Sequence, residues 1–366
     1  MAAPPSKKYY LFGYPIAHSS APALHNHCFK SLGTESTYTI WSTSKVTEEM
    51  LAVIHSDDCG GAAVTMPNKT AIIPFLDELS PESRITNACN TIVKIPTANG
   101  GVKLVGQNTD ILGVRNALLS ALKEQHPNRP IPTDASAAYP SHGSFAGLVI
   151  GGGATTRSAA HALTLLGLAP IFLINRDVDE VRAVMDAMPH LSSKGGLIHL
   201  RDPADVETHL VGEGKARILM AVGCIPSFAP QTLAERMVYT TASAVFTVPY
   251  VVPTVDSPRS PVPHTASLPR NAETIMYKVA AAHGWYVIDG IEAMIEQGFA
   301  QQRMWLRGVA SVAVGSDSSI TGVALEQSAR KSTRERLTAP SAATTEAIKL
   351  EVDRAEGKAS AVLPKK

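Results

Sequence analysis

The sequence predicts an α/β protein of two domains, and three observations support this fold class. Short apolar, β-branched runs alternate with segments of helical apolar spacing through both halves of the 366-residue chain. A glycine-rich turn that begins at Gly151 joins one such run to a helix. Between the halves, residues 125–144 are rich in Pro, Ser, Ala and His without an apolar period, which is typical of a linker or loop insertion.

The first predicted domain, residues 1–124, begins with a strand at 9–12 and a helix at 23–32 that Gly33 ends as its C-cap. The apolar periods then predict a strand at 37–41, a helix at 46–55, a strand at 61–66, a helix at 69–79, and strands at 90–95 and 103–106 joined by a turn at 99–101. Strands that alternate with helices pair in parallel, so we expect a mostly parallel sheet.

The second predicted domain, residues 145–288, repeats this alternation. It begins with a strand at 145–150, the glycine-rich turn and a helix at 156–166. Further strands are predicted at 170–174, 197–199, 217–221 and 244–247, and a helix at 290–307 lies in a C-terminal segment, 289–315. Residues 316–366 are rich in Ser, Thr, Ala and mixed charge, which predicts a disordered tail or a loose helix.

The composition excludes several functional classes. A hydrophobic fraction of 45% with 18% charged residues is typical of a soluble globular protein, and a net charge of +1 indicates neither a nucleic acid nor an anionic membrane as partner. No apolar run is long enough to span a membrane, and residues 1–8 lack the apolar region of a secretory signal, so a cytoplasmic location is expected. The four cysteines are far apart and the histidines lack ligand spacing, which predicts reduced thiols and no metal site.

The strongest local motif is VIGGGATTRSA, from Val149 to Ala159. It follows an apolar strand and opens a helix, as a dinucleotide fingerprint does. Gly151 permits the tight turn, and Gly153 lets the backbone approach a pyrophosphate at the helix N-terminus. The third small position holds Thr156 instead of Gly or Ala, so an ordinary glycine-rich turn is the alternative interpretation of this motif alone.

A polar tripeptide at the end of the next strand, Asn175-Arg176-Asp177, favours the nucleotide interpretation. A carboxylate there can accept hydrogen bonds from the ribose hydroxyls, and an arginine can hold a 2′-phosphate. We therefore predict a Rossmann-type domain that binds NAD or NADP, with NAD slightly favoured because Asp177 would repel a 2′-phosphate. The predicted cofactor-binding residues are Gly151, Gly152, Gly153, Ala154, Thr155, Asn175, Arg176 and Asp177.

Three polar islands interrupt the apolar surroundings of the first half. They are GYPIAHSSAPALHN at 13–26, AVTMPNK at 63–69, and Asn90-Thr91 together with GQNTD at 106–110. A lysine directly after a buried strand and a Pro turn is unusual for a structural residue, because lysine is almost never buried unpaired. A surface lysine that extends its amine into solvent is the ordinary alternative for Lys69.

These islands resemble the substrate-binding motifs of the shikimate and quinate dehydrogenases, in the same order and with similar spacing. The glycine-rich turn, the Asn-Arg pair and DGIEAMIEQG at 289–298 also resemble that family, so the resemblance covers roughly residues 9–308 and looks most like stand-alone fungal members. It implies an N-terminal substrate-binding domain, a C-terminal Rossmann-type domain and a last helix that returns to the substrate domain. The implied activity is NAD(P)-dependent oxidation or reduction of quinate or shikimate, in quinate metabolism or aromatic amino acid biosynthesis.

The resemblance also implies roles for individual residues. Lys69 and Asp110 are expected to flank the reacting hydroxyl as the catalytic pair. A secondary alcohol loses a proton as hydride departs, so a base must lie within hydrogen-bond reach of its oxygen. The expected substrate-binding residues are Ser19 at the carboxylate, Thr65, Asn90 and Gln297 at the ring hydroxyls, and Tyr250 near the nicotinamide. The expected partner is a small molecule, bound by a monomer or homodimer.

Departures from the family pattern leave two alternatives open. Ala21 replaces the second carboxylate-binding hydroxyl, Asn87 replaces a glycine, Met220-Ala221-Val222 replaces Asn-Ala-Thr, and Thr247 replaces an aspartate. One alternative is a non-catalytic binding or regulatory relative from the quinate pathway. The other is a dehydrogenase that acts on a related amino- or hydroxy-substituted cyclic acid. Retention of both Lys69 and Asp110 favours the enzyme, because a protein that only binds needs no base.

Overall fold

A computed structural model describes residues 6–17, 19–125, 145–225, 229–248, 264–267 and 274–338. Contacts divide the chain into two compact units. The first unit comprises residues 1–83, 88–109 and 298–366, and the second comprises residues 84–87 and 110–297. The sequence-based boundary at residue 124 assigned 110–124 to the first domain, whereas contacts assign this segment to the second unit.

The first unit contains a six-stranded sheet with the order β2-β1-β3-β5-β6-β4. Its elements are β1 (Lys8–Gly13), α1 (Ala21–Ser31), β2 (Thr37–Ser42), α2 (Glu48–His55), β3 (Cys59–Val64), α3 (Asn68–Ala71), β4 (Glu78–Leu79), β5 (Thr91–Pro96) and β6 (Val102–Gln107). The sheet is mixed: β1 pairs in parallel with β2 and β3, and β4 with β6, whereas β5 is antiparallel to β3 and β6. The antiparallel pair of β5 and β6 is a hairpin that turns at Gly100, whose φ of 79° suits a tight turn.

The second unit contains a six-stranded sheet in which every described pair is parallel, with the order β12-β11-β10-β7-β8-β9. A short helix, α4 (Pro81–Thr86), precedes this unit's main segment. The further elements are α5 (Asp110–Gln125), β7 (Phe145–Ile150), α6 (Ala154–Leu165), β8 (Ile171–Ile174), α7 (Val178–Ala187), α8 (Pro189–Ser192), β9 (Leu197–His199), α9 (Pro203–Leu210), β10 (Arg217–Gly223), α10 (Leu233–Thr247), β11 (His264–Ser267), α11 (Ile275–Ala282), β12 (Tyr286–Asp289) and α12 (Gly290–Arg307). Counted from β7, the order is 3-2-1-4-5-6, the doubly wound arrangement of dinucleotide-binding domains.

Two predicted elements are wrong. Residues 69–79 do not form one helix, because α3 ends at Ala71, a 3-10 turn follows at Ile73–Phe75, and β4 joins the sheet. Pro74 lies in that 3-10 turn, where a proline cannot donate the hydrogen bond of a continuing helix. Residues 244–247 are the end of α10 instead of a strand, and the strand between β10 and β12 is β11.

The C-terminal part of the first unit, for which the sequence predicts a disordered tail or a loose helix from residue 316, contains helix as far as Thr338. The residues of α12 from Gly298 onward belong to this unit, and after them come α13 (Val312–Ser316) and α14 (Val323–Thr338). Arg303 of α12 is buried and donates from Nε to Glu326 Oε1 at 2.9 Å and from Nη1 to the Gly315 carbonyl at 2.6 Å. This buried ion pair holds α14 against α12. Removal of either partner would leave a buried charge unpaired, so the pair is costly to break.

The aromatic core of the first unit surrounds a buried histidine. Trp305 donates from its indole nitrogen to the Ile92 carbonyl at 3.0 Å and packs against Tyr9 at 4.9 Å between ring centroids. His25 stacks on Tyr38 at 4.4 Å, and its Nδ1 lies 2.9 Å from Gln302 Oε1. Burial lowers the pKa of His25 to about 4, although its hydrogen bonds to glutamine oppose this shift.

This depressed pKa predicts that acid destabilises the protein between about pH 6.5 and pH 4. In that window the unfolded chain binds a proton at His25 and the folded chain does not, so stability is present above pH 6.5 and is lost as pH falls towards 4. The expected loss from this residue is about 3 kcal/mol. Urea unfolding of the wild type and of His25→Phe across this range should show a shallower pH dependence for the variant. The exposed His55, changed in the same way, is the control; an equal slope for wild type and His25→Phe would contradict the prediction.

Candidate functional site

Lys69 lies on a one-turn helix directly after the end of β3. Its neighbour Asn68 is buried and donates from Nδ2 to the Thr43 carbonyl at 2.9 Å, which fixes the turn. The Lys69 carbonyl accepts a hydrogen bond from the Cys89 amide at 2.8 Å. These two hydrogen bonds hold the backbone from which the half-buried Lys69 side chain extends. The segment that leads into Asn90 lies beside this turn.

The side chain of Asn90 is fixed by three hydrogen bonds to its oxygen atom. Its Oδ1 accepts from the Thr91 hydroxyl at 2.7 Å, the Thr109 amide at 2.8 Å and the Thr109 hydroxyl at 3.1 Å. Its carbonyl accepts from the Val64 amide at 2.8 Å, directly before Thr65. These contacts fix the orientation of the Asn90 side-chain amide.

Two of the polar islands, 63–69 and 90–91 with 106–110, thus meet at the carboxyl end of β3. The structure brings Thr65, Lys69, Asn90 and Thr109 into one hydrogen-bonded region. Asp110 is bonded covalently to Thr109 and is the first residue of α5, in the second unit. An N-terminal carboxylate is favoured there by the helix dipole. Gln297 is the last residue of the second unit, and its Nε2 donates to the Met294 carbonyl at 3.0 Å.

Ser19 lies at the start of α1, where its Oγ accepts from the Ala21 amide at 3.3 Å. Ser19 is half-buried, whereas Ala21, which stands where the family has a hydroxyl, is buried as the first residue of α1. Ser20 occupies the N-cap position of α1 without a side-chain capping bond. His18 and Tyr250 lie outside the described residues. The predicted strand at 244–247 is the end of α10.

The glycine-rich turn has the geometry that its sequence predicts. Gly151 has φ of 145°, a conformation that favours glycine, and its amide donates to the Ile174 carbonyl at 2.8 Å. Gly153 is the N-cap of α6 and has no side chain to cap the helix, and the first turn of α6 contains no acidic residue. By contrast, α7, α9, α10 and α11 all have a capping side chain at this position.

The uncapped N-terminus of α6 fits an anionic group. Its first amides lack a side-chain acceptor, and the open space at Gly153 would admit a ligand, because a Cβ built there meets nothing within 4 Å. Thr156, in the first turn, is buried and its Oγ1 has no hydrogen-bond partner among the described residues. Backbone amides and an orphaned hydroxyl match the acceptors of a pyrophosphate. The residues present therefore fit a dinucleotide.

The tripeptide after β8 has internal partners that the sequence did not indicate. Asn175 donates from Nδ2 to Glu180 Oε2 at 2.6 Å, and Asp177 is the N-cap of α7, where its Oδ1 accepts from the Asp179 amide at 2.8 Å. Arg176 forms an ion pair with Glu235 of α10. Asp177 therefore has a structural role as a helix cap in addition to the predicted role at the ribose.

Two departures from the family pattern have structural explanations. Asn87 has φ of 46° and is the non-glycine residue with positive φ among those described, and asparagine tolerates this conformation where the family has glycine. Arg157 of α6 donates from Nη2 to the Asn87 carbonyl at 3.1 Å, which holds the turn. Met220 and Val222 are fully buried within β10, so their replacement of polar residues places core side chains, not ligand contacts, at those positions.

Sequence reasoning missed Gln301 and Glu235. Gln301 is buried and donates from Nε2 to the Thr91 hydroxyl at 2.9 Å and to the Asn90 carbonyl at 3.2 Å. Its position four residues after Gln297 on one helix could have indicated it. Glu235 forms a capping box with Thr232, and the pattern Thr-x-x-Glu at 232–235 is a readable helix start.

The described residues give three further findings. In these segments, no group of three or more His, Cys, Asp and Glu side chains could hold a metal ion. Across the same part of the chain, no helix is both long and apolar enough to cross a membrane. All four cysteines are free thiols; Cys28, Cys59 and Cys89 are buried and Cys224 is half-buried.

Comparison with known proteins confirms the predicted resemblance and the α/β fold. A family model described as the shikimate dehydrogenase substrate binding domain matches residues 11–92. Dehydroquinate dehydratase and shikimate dehydrogenase from S. pombe is similar to this chain with 26% identity and a TM-score of 0.66, over 90% of this chain and 53% of that one. The chain thus spans about half the length of that protein.

Two further solved structures are similar over nearly their whole length. Quinate dehydrogenase from Corynebacterium glutamicum, in complex with NAD, has 19% identity and a TM-score of 0.63, over 91% of this chain and 100% of that chain. Shikimate 5-dehydrogenase from Thermus thermophilus, in complex with NADP(H) and shikimate, has 24% identity and a TM-score of 0.57, over 89% of this chain and 99% of that chain. These likenesses show the fold.

Proposed function

We propose that this chain, with a substrate-binding domain and a fold like those of shikimate and quinate dehydrogenases, is an NAD(P)-dependent dehydrogenase of cyclic polyhydroxy acids. Its reactions would be quinate to 3-dehydroquinate, shikimate to 3-dehydroshikimate, or both. The observation that carries the proposal is the convergence of Thr65, Lys69 and Asn90 at the carboxyl end of β3. Two motifs without sequence proximity, 63–69 and 90–91, meet at one place, and each supplies a group that can hydrogen-bond a hydroxyl.

In the proposed reaction Lys69 is the base. Its amine takes the proton from the substrate hydroxyl during oxidation and returns it during reduction, so the alcohol and the ketone interconvert with a balanced proton. The nicotinamide, when bound, supplies the hydride chemistry. Asp110 is the proposed second member of the catalytic pair. Asn90 is proposed to bind a ring hydroxyl through its side-chain amide, whose Oδ1 accepts from Thr109.

The amides at the N-terminus of α6 would hold the pyrophosphate, with Gly151, Gly152 and Gly153 allowing its approach. A side chain at Gly152 would overlap Asn175 and Glu180, so that glycine is also required by the fold. Ala154 and Thr155 follow as the first residues of α6 and present the backbone amides of its first turn. The cofactor is NAD or NADP, and related structures contain either.

A cofactor-reduction assay tests the proposal directly. The purified protein is mixed with quinate or shikimate and with NAD or NADP, and absorbance of the reduced nicotinamide is followed. Turnover of either acid supports the proposal. Nucleotide binding without turnover of these acids or of related cyclic acids would support the non-catalytic binding relative instead.

Restoring a hydroxyl at Ala21 is expected to strengthen substrate binding. Ala21 is buried beside Ser19, and the site offers one hydroxyl fewer than the family pattern for the substrate carboxylate. We expect Ala21→Ser to lower KM about fivefold with little change in kcat, since a charge-assisted hydrogen bond adds about 1 kcal/mol of uniform binding. Steady-state kinetics with quinate and shikimate measure the effect.

The matched control for this substitution is Ala23→Ser, on the same helix. It should leave KM unchanged. Weaker binding of both acids in Ala21→Ser would indicate a site shaped for a different substituent, and would favour the related amino- or hydroxy-substituted cyclic acid as substrate.

A further inference from the structure

Arg176 is engaged by a carboxylate from a distant element. It follows β8, where a dinucleotide fold places the ribose of the adenosine, and its Nη1 pairs with Oε1 of Glu235 in the first turn of α10. The two residues are 59 positions apart, so the fold and not local sequence creates the pair. The Arg176 side chain is 55% exposed and remains accessible to a ligand.

Glu235 is held rigidly in this position. Its Oε2 accepts from the Gln231 amide at 2.8 Å and the Thr232 amide at 3.0 Å, while its own amide donates to Thr232 Oγ1 at 3.2 Å. These backbone hydrogen bonds, with the Arg176 guanidinium, lower the pKa of Glu235. One oxygen is fixed by the helix start and the other faces Arg176, so the carboxylate is preorganised as the arginine's partner.

We propose that Glu235 is a cofactor-selecting residue: it occupies the guanidinium of Arg176 and so disfavours a nucleotide with a 2′-phosphate. A 2′-phosphate would need Arg176 as its main cationic partner, and to obtain it the phosphate must displace an anchored carboxylate. A cofactor with a free 2′-hydroxyl does not compete for that pair. This inference rests on the nucleotide site of the proposed function, and it assigns the selection to a residue outside the Asn175–Asp177 segment.

The test measures binding of NAD⁺ and NADP⁺ by calorimetry without any substrate, so that turnover plays no part. In Glu235→Gln the capping box persists, because a glutamine oxygen accepts from the Thr232 amide as the carboxylate does. We expect the ratio of the dissociation constants, NAD⁺ over NADP⁺, to rise about tenfold, mainly through tighter NADP⁺ binding. The gain should shrink at higher ionic strength, since salt screens an exposed ion pair.

Two controls separate this pair from general charge effects. Asp179→Asn removes one negative charge from the first turn of α7 without affecting Arg176, and should change the ratio less than twofold. Arg176→Leu combined with Glu235→Gln should abolish the gain, because the gain acts through the arginine. If Glu235→Gln alters stability, the double variant carries the same change at position 235. Comparison of the two variants then still isolates the contribution of Arg176.

Three other results of these binding measurements would each lead to a different conclusion. An unchanged ratio in Glu235→Gln with intact NAD⁺ binding would overturn the inference and leave the proposed function standing. A raised ratio in Asp177→Asn but not in Glu235→Gln would assign the selection to Asp177, since asparagine still caps α7. Failure of the wild type to bind either nucleotide would overturn both the inference and the nucleotide site on which it rests.

Discussion

Replacement of Lys69 by alanine is expected to lower kcat/KM by about 10²- to 10⁴-fold, the usual effect of removing a general base. The fold should persist, because the contacts that hold this turn come from the Lys69 carbonyl and from the Asn68 side chain, and both remain in the variant. Nucleotide affinity should also persist, since the nucleotide residues lie in the second unit. A large loss of turnover with intact stability would identify the amine as part of the chemistry.

The measurement compares steady-state rates of wild type, Lys69→Ala and Lys69→Arg with the acid that the wild type turns over. Arginine retains the charge but cannot lose its proton near neutral pH, so it should not restore activity. Lys8→Ala, which breaks a surface ion pair between β1 and Asp58, is the matched control and should retain normal rates. Near-wild-type activity of Lys69→Ala would show that the lysine extends into solvent and takes no part in the reaction.

The sequence predicted the parts of the site that depend on short segments. The turn at Gly151 and the uncapped start of α6 could be read from consecutive residues, because glycine is required where φ is positive and a dinucleotide fold places such a turn after its first strand. The islands at Thr65, Lys69 and Asn90 could be read for the same reason, since each follows or precedes an apolar strand directly. They converge because β5 is antiparallel to β3, so that Asn90, directly before β5, lies beside the end of β3.

The partners of these residues could not be predicted, because they are distant in sequence. Asn90 is fixed by Thr109 and Gln301, and Arg176 is held by Glu235; each contact needs the three-dimensional arrangement of elements with no sequence relation. The error at 244–247 has a different, local cause. That short β-branched run fits a strand or a buried helix equally well, and the capping box at Thr232, twelve residues before it, decides for the helix.

Gly153 offers the sharpest test of the nucleotide site, since the fold gives no reason for a glycine there. Several glycines with open surroundings need glycine for their positive φ: Gly33, Gly100, Gly195, Gly214, Gly284 and Gly322. Gly153 has the same open space but φ of −89° and ψ of −169°, an extended conformation that any residue adopts. The absence of a side chain at this position is therefore explained by the ligand that we propose, not by the backbone.

Gly153→Asp is therefore expected to affect stability and nucleotide binding in opposite directions. Aspartate is a favourable N-cap, so the free energy of unfolding should stay unchanged or rise by a few tenths of a kcal/mol. Its carboxylate would take the first amides of α6 and repel a pyrophosphate, which should weaken NAD⁺ binding about 100-fold or more. Urea unfolding and calorimetry on the same preparation measure both effects, with Gly153→Ala as the uncharged control. Normal NAD⁺ affinity in Gly153→Asp would show that the anion site is elsewhere, and a marked loss of stability would show that the fold itself requires this glycine.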